Sequence, residues 1–574
     1  MEGSEQRWSS RAGEPPESIS EKDLSKVDAE EEQTLVVAKD FEVVPLPADL
    51  VWRAKVALFD TRVSECEAMT RPFCTNNLWG AALFAEAAMW RFIFERKPED
   101  FETAVQRLKT SAAMASALQR RFRVKTDKKS LAKEGAPEAA RSYLEALAME
   151  AQAHLYVALL HLVQKSFLKG ALFVRKSWKV WETTNAVLAE LEQAGLEPGA
   201  DVRGLIYFGV GFFFFFISLV PSHLQFIVKV LGFQGDRGRA VELLSRAKDL
   251  PQSGKSVESS LIMYILYYWF LDERAQAPVV LEQLRASLPQ SPIIYLAAGW
   301  AALVTEHNVE AALQCYRTAA EMTELEQLRL ACRGQLAYAL YLREDWDAAL
   351  AEFGLFMEKA ASTETKCYAA FALGVASYMV SRNQDCAAFM KKCIEFEDKT
   401  SNWDVFAVGV ARSYLASGNS FDRCTLLFVL IENANESGRA ARALEYCAEV
   451  EQLPKWESFS ADDKTALLSY YRGCALRLLG ETDKAKSALI KAAGLHAKPL
   501  ALEARRAVPY ALLVLGEISM WELSQLDAAD RFFKKAELYK EKYLFMDSLA
   551  FRLKSNVEVL QCKRAKEAAK EGAK

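Results

Sequence analysis

None of the eleven cysteines is spaced as CxxC, and the five histidines (His154, His161, His223, His307, His496) build no zinc-ligand pattern with them. The odd cysteine count therefore reads as reduced thiols rather than a disulfide framework. No GxSxG elbow and no Walker loop occur, so no catalytic, cofactor-binding or metal residue is named, no cofactor is expected, and the chain is expected not to be an enzyme. Neither charge sign dominates: 72 basic residues face 76 acidic ones, for a net charge of -4. No global field favours nucleic acid or anionic membrane, and no nucleic acid partner is expected. The first residues lack the basic and apolar regions of a secretory leader, which sets the expectation of a cytoplasmic protein.

A length of 574 residues, 51% of them hydrophobic, suits several compact domains or one extended repeat array. Residues 1–46 are rich in Gly, Pro, Ser and Glu without a sustained apolar period, and are expected to form a disordered acidic tail. From Val51 onward the apolar spacing is helical, with almost no strand alternation. A long-helix half is expected over 47–280, interrupted by a basic solvated loop at 123–140 and containing an aromatic central hairpin at 204–250. Degenerate repeats are expected over 281–435, further repeats over 436–560, and a basic tail over 561–574.

The repeats show themselves as a 37-residue step. Ala312, Ala349 and Cys386 share it, as do Trp300, Ala337 and Gly374, then Tyr316, Phe353 and Met390, and finally Ala319, Phe356 and Cys393. Small residues let paired helices approach, and a large apolar residue four positions later fills the gap between pairs. Gly473, Leu476, Ala485, Leu489 and Ala492 occupy the small and large positions of a single tetratricopeptide unit, and Ala529, Phe533 and Ala536 those of another. The expected fold is all-α: an α-α superhelix, a tetratricopeptide-like solenoid with a long-helix N-terminal half.

Three stretches, "SFLKGALFVRKSWKVW" (166–181), "GVGFFFFFISLVPSHLQFIVKVLGFQGDRGRAVELLSRA" (209–247) and "LIMYILYYWF" (261–270), resemble the tetratricopeptide-repeat protein 39 family and its fungal inclusion-body clearance relatives. The likeness runs from Val51 to about Phe551. It departs where Ser222 follows Pro221 in place of a second proline, and in the five consecutive phenylalanines. The resemblance implies a non-enzymatic, all-helical adaptor concerned with lipid homeostasis, inclusion-body clearance, ubiquitin-linked regulation or cilium assembly. The expected partner is a protein lying in a concave helical groove, with peripheral lipid-droplet or organelle-membrane contact as the alternative. Nuclear, lipid-droplet and mitochondrial outer-membrane sites join the cytoplasm as alternative locations. Because the degenerate register leaves helix facing open, no binding residue is named.

The apolar run from Gly204 to Val220 has 17 residues, with the hydroxyls of Tyr207 and Ser218 as its only polar side-chain groups. As a helix it spans about 25 Å, short of a hydrocarbon core of roughly 30 Å, so a buried central helix is expected, with lipid contact as the alternative. In "GFQGDRG", Gly232, Gly235 and Gly238 precede a helix without the Lys and hydroxyl of a phosphate loop. Gly232 is expected to end one helix, Asp236 to cap the next and Arg237 to pair with a carboxylate on an adjacent helix. His154 and His161 share a helix face on which Glu150 is the nearby carboxylate, and are expected to be satisfied core histidines. The basic end, with Lys563, Arg564, Lys566, Lys570 and Lys574, is expected to be a solvated helix end, and the adjacent Cys562 to be acylated only if it reaches a membrane.

Overall fold

Helix boundaries follow local chemistry throughout. Asn77 accepts a hydrogen bond from the Gly80 amide at the start of one helix, and Pro98 opens the next with Glu99 and Asp100 in its first turn. Ser291, Asn308, Ser401 and Asp422 cap later helices in the same way, and Ser460 with Asp463 forms a full capping box. A computed structural model describes residues 44–123, 135–219, 235–250, 253–360, 365–453 and 460–572, and no strand occurs among them. The expected N-terminal tail lies almost wholly outside the described residues, and Pro221 and Gly232 lie outside them too.

The chain divides into two units, one of Met1–Tyr264 with Val280–Gln290 and the other of Ile265–Val279 with Ser291–Lys574. The first contains α1 (Leu50–Phe59), α2 (Val63–Thr70), α3 (Leu78–Glu95), α4 (Pro98–Phe122), α5 (Ala136–Val163), α6 (Phe167–Gln193), α7 (Ala200–Leu219) and α8 (Arg237–Lys248). Helices α9 (Ser256–Trp269) and α10 (Gln276–Ser287) each run from one unit into the other. Consecutive helices of the first unit pack on one another, α3 on α4, α4 on α5, α5 on α6 and α7 on α8. Their core holds Phe92, Leu144, Trp181, Leu205 and Ile206, all fully buried. Part of the expected loop at 123–140 is helix instead: α5 begins at Ala136, because Pro137 and Glu138 favour a first turn and Gly135 supplies the left-handed entry at φ 74°.

The second unit continues with α11 (Pro292–Val304), α12 (Val309–Met322), α13 (Glu326–Arg343), α14 (Trp346–Lys359), α15 (Lys366–Met379), α16 (Asn383–Glu395), α17 (Asn402–Ala416), α18 (Arg423–Glu436), α19 (Ala440–Gln452), α20 (Ala461–Leu478), α21 (Thr482–Ala493), α22 (Leu502–Arg505), α23 (Ala507–Glu517), α24 (Leu526–Glu537) and α25 (Met546–Gly572). They stack as hairpins, α11 with α12, α13 with α14, α15 with α16, α18 with α19, α20 with α21 and α23 with α24. The second helix of each hairpin carries one motif at i, i+4 and i+7. Ala312, Tyr316 and Ala319 begin it; Ala443, Cys447 and Val450 repeat it on α19, and Ala529, Phe533 and Ala536 on α24, none of them more than 5% exposed. The fold is the expected tetratricopeptide-like solenoid of paired helices.

Two details differ from the 37-residue step. Trp300 is 37% exposed, and the close-approach position is Gly299, where a Cβ would lie 2.5 Å from the Tyr316 ring. The turn after α11 spans 305–308 and the one after α15 spans 380–382, and this extra residue shifts the register by one. The step then breaks after Cys386, whose counterpart Ala443 lies 57 positions on, because α17 enters the stack as an unpaired helix packed on α15 and α16.

Candidate partner-binding strip

Helix α7 alternates in its aromatic run. Phe213 and Phe215 are buried at 2% and 5% exposure, while Phe212, Phe214 and Phe216 are half-buried. Phe208, Phe212 and Phe216 stack one turn apart, with ring centroids 5.7 and 6.1 Å apart. Helices α5 and α7 are both long and apolar enough to cross a membrane, and both are mostly buried inside the first unit. Asp236 caps α8 by accepting from the Arg239 amide, as expected. Arg237 reaches the Ser218 hydroxyl at 3.4 Å on the preceding helix, its guanidinium lowered to about 10 by burial.

His161 is buried between Phe101 and Phe173, and His154 lies beside Phe173 with Nε2 3.8 Å from Glu150. Among the described residues no group of three His, Cys, Asp or Glu is placed to hold a metal ion. The cysteines are free thiols. Burial pushes Cys66, Cys332 and Cys447 up to about 12, so these thiols stay protonated and inert at neutral pH. The basic C-terminal segment is an exposed helix end over 565–570, as expected, and only its beginning is held by ion pairs. It continues α25, where Lys563 meets Asp272 at 2.6 Å and Trp521 at 4.5 Å, and Arg564 meets Asp527 at 2.8 Å. Asp272, some 290 residues earlier, supplies the countercharge to Lys563.

Sequence spacing did not reveal a strip of polar and aromatic side chains on the first helices of the hairpins of the second unit. On α13, Tyr338 donates to Glu436 Oε2 of α18 at 2.6 Å. Arg506, between α22 and α23, pairs with Glu432 Oε2 at 2.7 Å and donates to the Tyr471 hydroxyl at 2.6 Å. Further along, Glu517 of α23 receives Arg477 at 2.9 Å, Arg552 at 2.8 Å and the Asn556 amide at 3.2 Å. Arg274 lies 4.0 Å over the Trp521 ring.

Two of the strip's carboxylates, Glu517 and Glu436, sit in opposite environments. Burial alone would raise Glu517, but Arg552 and Arg477 outweigh it and hold the carboxyl at about 2. Burial and the neighbouring charge of Glu432 push Glu436 up to about 7. One end of the strip is thus fixed as ion pairs, and the other holds a carboxyl poised near neutrality. A sequence signal exists in "LIENANE", which sets Glu432 and Glu436 one turn apart, yet nothing in the spacing says what they face.

Stacked helical hairpins, each closed by core residues at i, i+4 and i+7 of the second helix and lined on their first helices by polar and aromatic groups, define a tetratricopeptide-like repeat protein. The family model for Iml2/Tetratricopeptide repeat protein 39 matches residues 57–404, well over half the chain, and the chain belongs to that family. Solved structures similar to it include the APC/C hetero-tetramer Cut9-Hcn1, at 11% identity over 88% of this chain and 96% of that chain with a TM-score of 0.23. The human IFIT1 dimer with m7Gppp-AAAA is similar at 9% identity over 90% and 96%, with a TM-score of 0.28. Likeness at such scores carries no argument about this chain.

Proposed function

We propose that the chain is a non-enzymatic, cytoplasmic protein-binding scaffold whose second unit receives a partner polypeptide along the strip of first-helix side chains. The settings implied by the resemblance, lipid homeostasis, inclusion-body clearance or cilium-related assembly, are where that partner is to be sought. The observation that carries this reading is the division of labour within each hairpin. Second helices give their small and large residues to the core, while first helices hold Tyr338, Tyr368 and Glu436 partly open to solvent, with Trp403 of the unpaired α17 beside Tyr368. A photo-crosslinking residue in place of Trp403, which is 38% exposed, is expected to yield discrete protein adducts in cells. The same residue in place of Lys484, 69% exposed on α21, is expected to yield none. Equal labelling from both positions, or none from either, overturns the proposal.

A second reading, contact with a lipid-droplet or organelle surface, draws support from the half-buried Phe212, Phe214 and Phe216. Phe213 and Phe215 do not test it cleanly, since both are core and their replacement is expected to destabilise the unit. Replacing Phe212 and Phe216 by serine is expected to halve droplet flotation or more while leaving helicity by circular dichroism intact. Unchanged flotation removes this reading.

A further inference from the structure

Seven side chains of the second unit close a circuit of contacts at the acidic end of the strip. Glu436 accepts from Tyr338 at 2.6 Å, and the Tyr338 ring meets Tyr368 at 5.9 Å between centroids. Tyr368 meets Trp403 at 5.4 Å, and Trp403 meets Phe545 at 4.7 Å. The guanidinium of Arg506 lies 5.1 Å from the Phe545 ring and 2.7 Å from Glu432, one turn from Glu436 on α18. The collar therefore has one arc of carboxyl groups and one of aromatic faces.

Such a pairing of rings and carboxylates stabilises organic cations, the rings through their quadrupoles and the acids through charge. The collar already holds one cation in this manner, because Arg506 sits against Phe406, Tyr471 and Phe545 while paired with Glu432. Glu436 is different. Among the described residues no Lys, Arg or His side chain lies within ion-pair distance of its carboxylate, and His307 touches only its main-chain carbonyl, at 3.3 Å. Elsewhere in the chain a buried glutamate is matched by lysines, as Glu86 is by Lys55 and Lys255. A carboxyl hydrogen-bonded to Tyr338 at the end of an aromatic row, with the Arg506 charge felt only at a distance and no ion-pair partner of its own, is complementary to a cation brought from outside.

We propose that this collar receives the basic side chain, lysine or arginine, of a partner polypeptide, with Glu436 as its counterion and Tyr338, Tyr368 and Trp403 as the wall for its aliphatic stem. The proposal rests on the scaffold reading and names the chemistry by which that scaffold selects. On docking, the protonated share of Glu436 is converted to the carboxylate, so binding releases protons near neutral pH.

The test is fluorescence anisotropy on the full chain at pH 7 with a labelled nonapeptide carrying three lysines, a twin with norleucine in their place and another with glutamate. The lysine peptide is expected to bind at least tenfold more tightly than either twin. Glu436→Gln, which keeps an acceptor for the Tyr338 hydroxyl, and Trp403→Ala are each expected to lower its affinity tenfold or more. Glu445→Gln, at an exposed acid on α19, is expected to leave it unchanged. Thermal unfolding of each variant checks that the fold is kept. Equal binding of the lysine and norleucine peptides, preference for the glutamate twin, indifference to Glu436→Gln, or no binding of any probe overturns the proposal. Crosslinks from position 403 that persist beside such a result leave the scaffold reading standing and this chemistry refuted.

Discussion

Glu86→Gln is expected to lower the stability of the first unit by about 3–5 kcal/mol, because it strands two buried ammonium groups with one remaining carboxylate. Lys55 Nζ lies 2.6 Å from Glu86 Oε1 and 2.9 Å from Glu258, while Lys255 Nζ lies 3.5 Å from Glu86 and 3.0 Å from Glu258. Tyr156 completes the cluster, accepting from Lys255 at 2.6 Å. All but Glu258 are nearly inaccessible to solvent, so water cannot replace the lost charge. Burial alone would raise the Glu86 carboxyl, but the charges of Lys255 and Lys55 outweigh it and hold it well below the usual carboxylate range. A depressed folded-state pKa contributes stability that is present above the ordinary carboxylate range and lost as pH falls through it towards the folded value. Wild type should therefore lose stability on acidification below about pH 4.5, and Glu86→Gln should lose less over the same interval. Denaturant titrations at pH 7 and pH 4 check both halves. A cost under about 1 kcal/mol at pH 7 means that the two lysines find other partners or deprotonate.

The cluster also shows where sequence reading stops. Lys55, Glu86, Tyr156, Lys255 and Glu258 come from α1, α3, α5, the turn before α9 and α9 itself, and their separations of up to 203 residues leave no periodic trace. The core motif was legible for the opposite reason: i, i+4 and i+7 lie on one helix face, and close packing demands a small residue, a large one and then another that fits at each hairpin. Legibility failed by one residue at Trp300 through a longer turn. It failed altogether at α17, a helix with no hairpin partner to repeat. The collar around Glu436 stayed hidden because Tyr338, Trp403 and Arg506 come from three separate elements linked through Tyr368 and Phe545, which spacing along one helix does not encode. Likewise the ion pair of Lys563 with Asp272 at the start of the basic end left no trace in the spacing, because Asp272 lies so far back in the chain.

Trp181→Ala is expected to cost the first unit about 3–5 kcal/mol, the range for emptying a fully buried aromatic site. Trp181 on α6 packs flat against α7, where a Cβ at Gly209 would lie 2.1 Å from the indole Cζ2. Gly209 is thus the seat of the tryptophan, while Gly211, the other glycine of "GVG", faces Leu243 and Leu244 of α8. Gly209→Ala should gain about 1 kcal/mol of helix propensity and lose more than that to overpacking, about 1–3 kcal/mol. The two sites touch, so their effects will not add. With the smaller Trp181→Leu, the room vacated by the indole accommodates a methyl at 209, and Gly209→Ala in that background should be neutral or stabilising. Equilibrium unfolding of the four proteins of this cycle measures the coupling, expected at 1 kcal/mol or more in magnitude, on the order of that found for contacting residues. Additive costs would mean that α6 and α7 do not meet at this contact, and the aromatic run of α7 would then need another explanation for its burial.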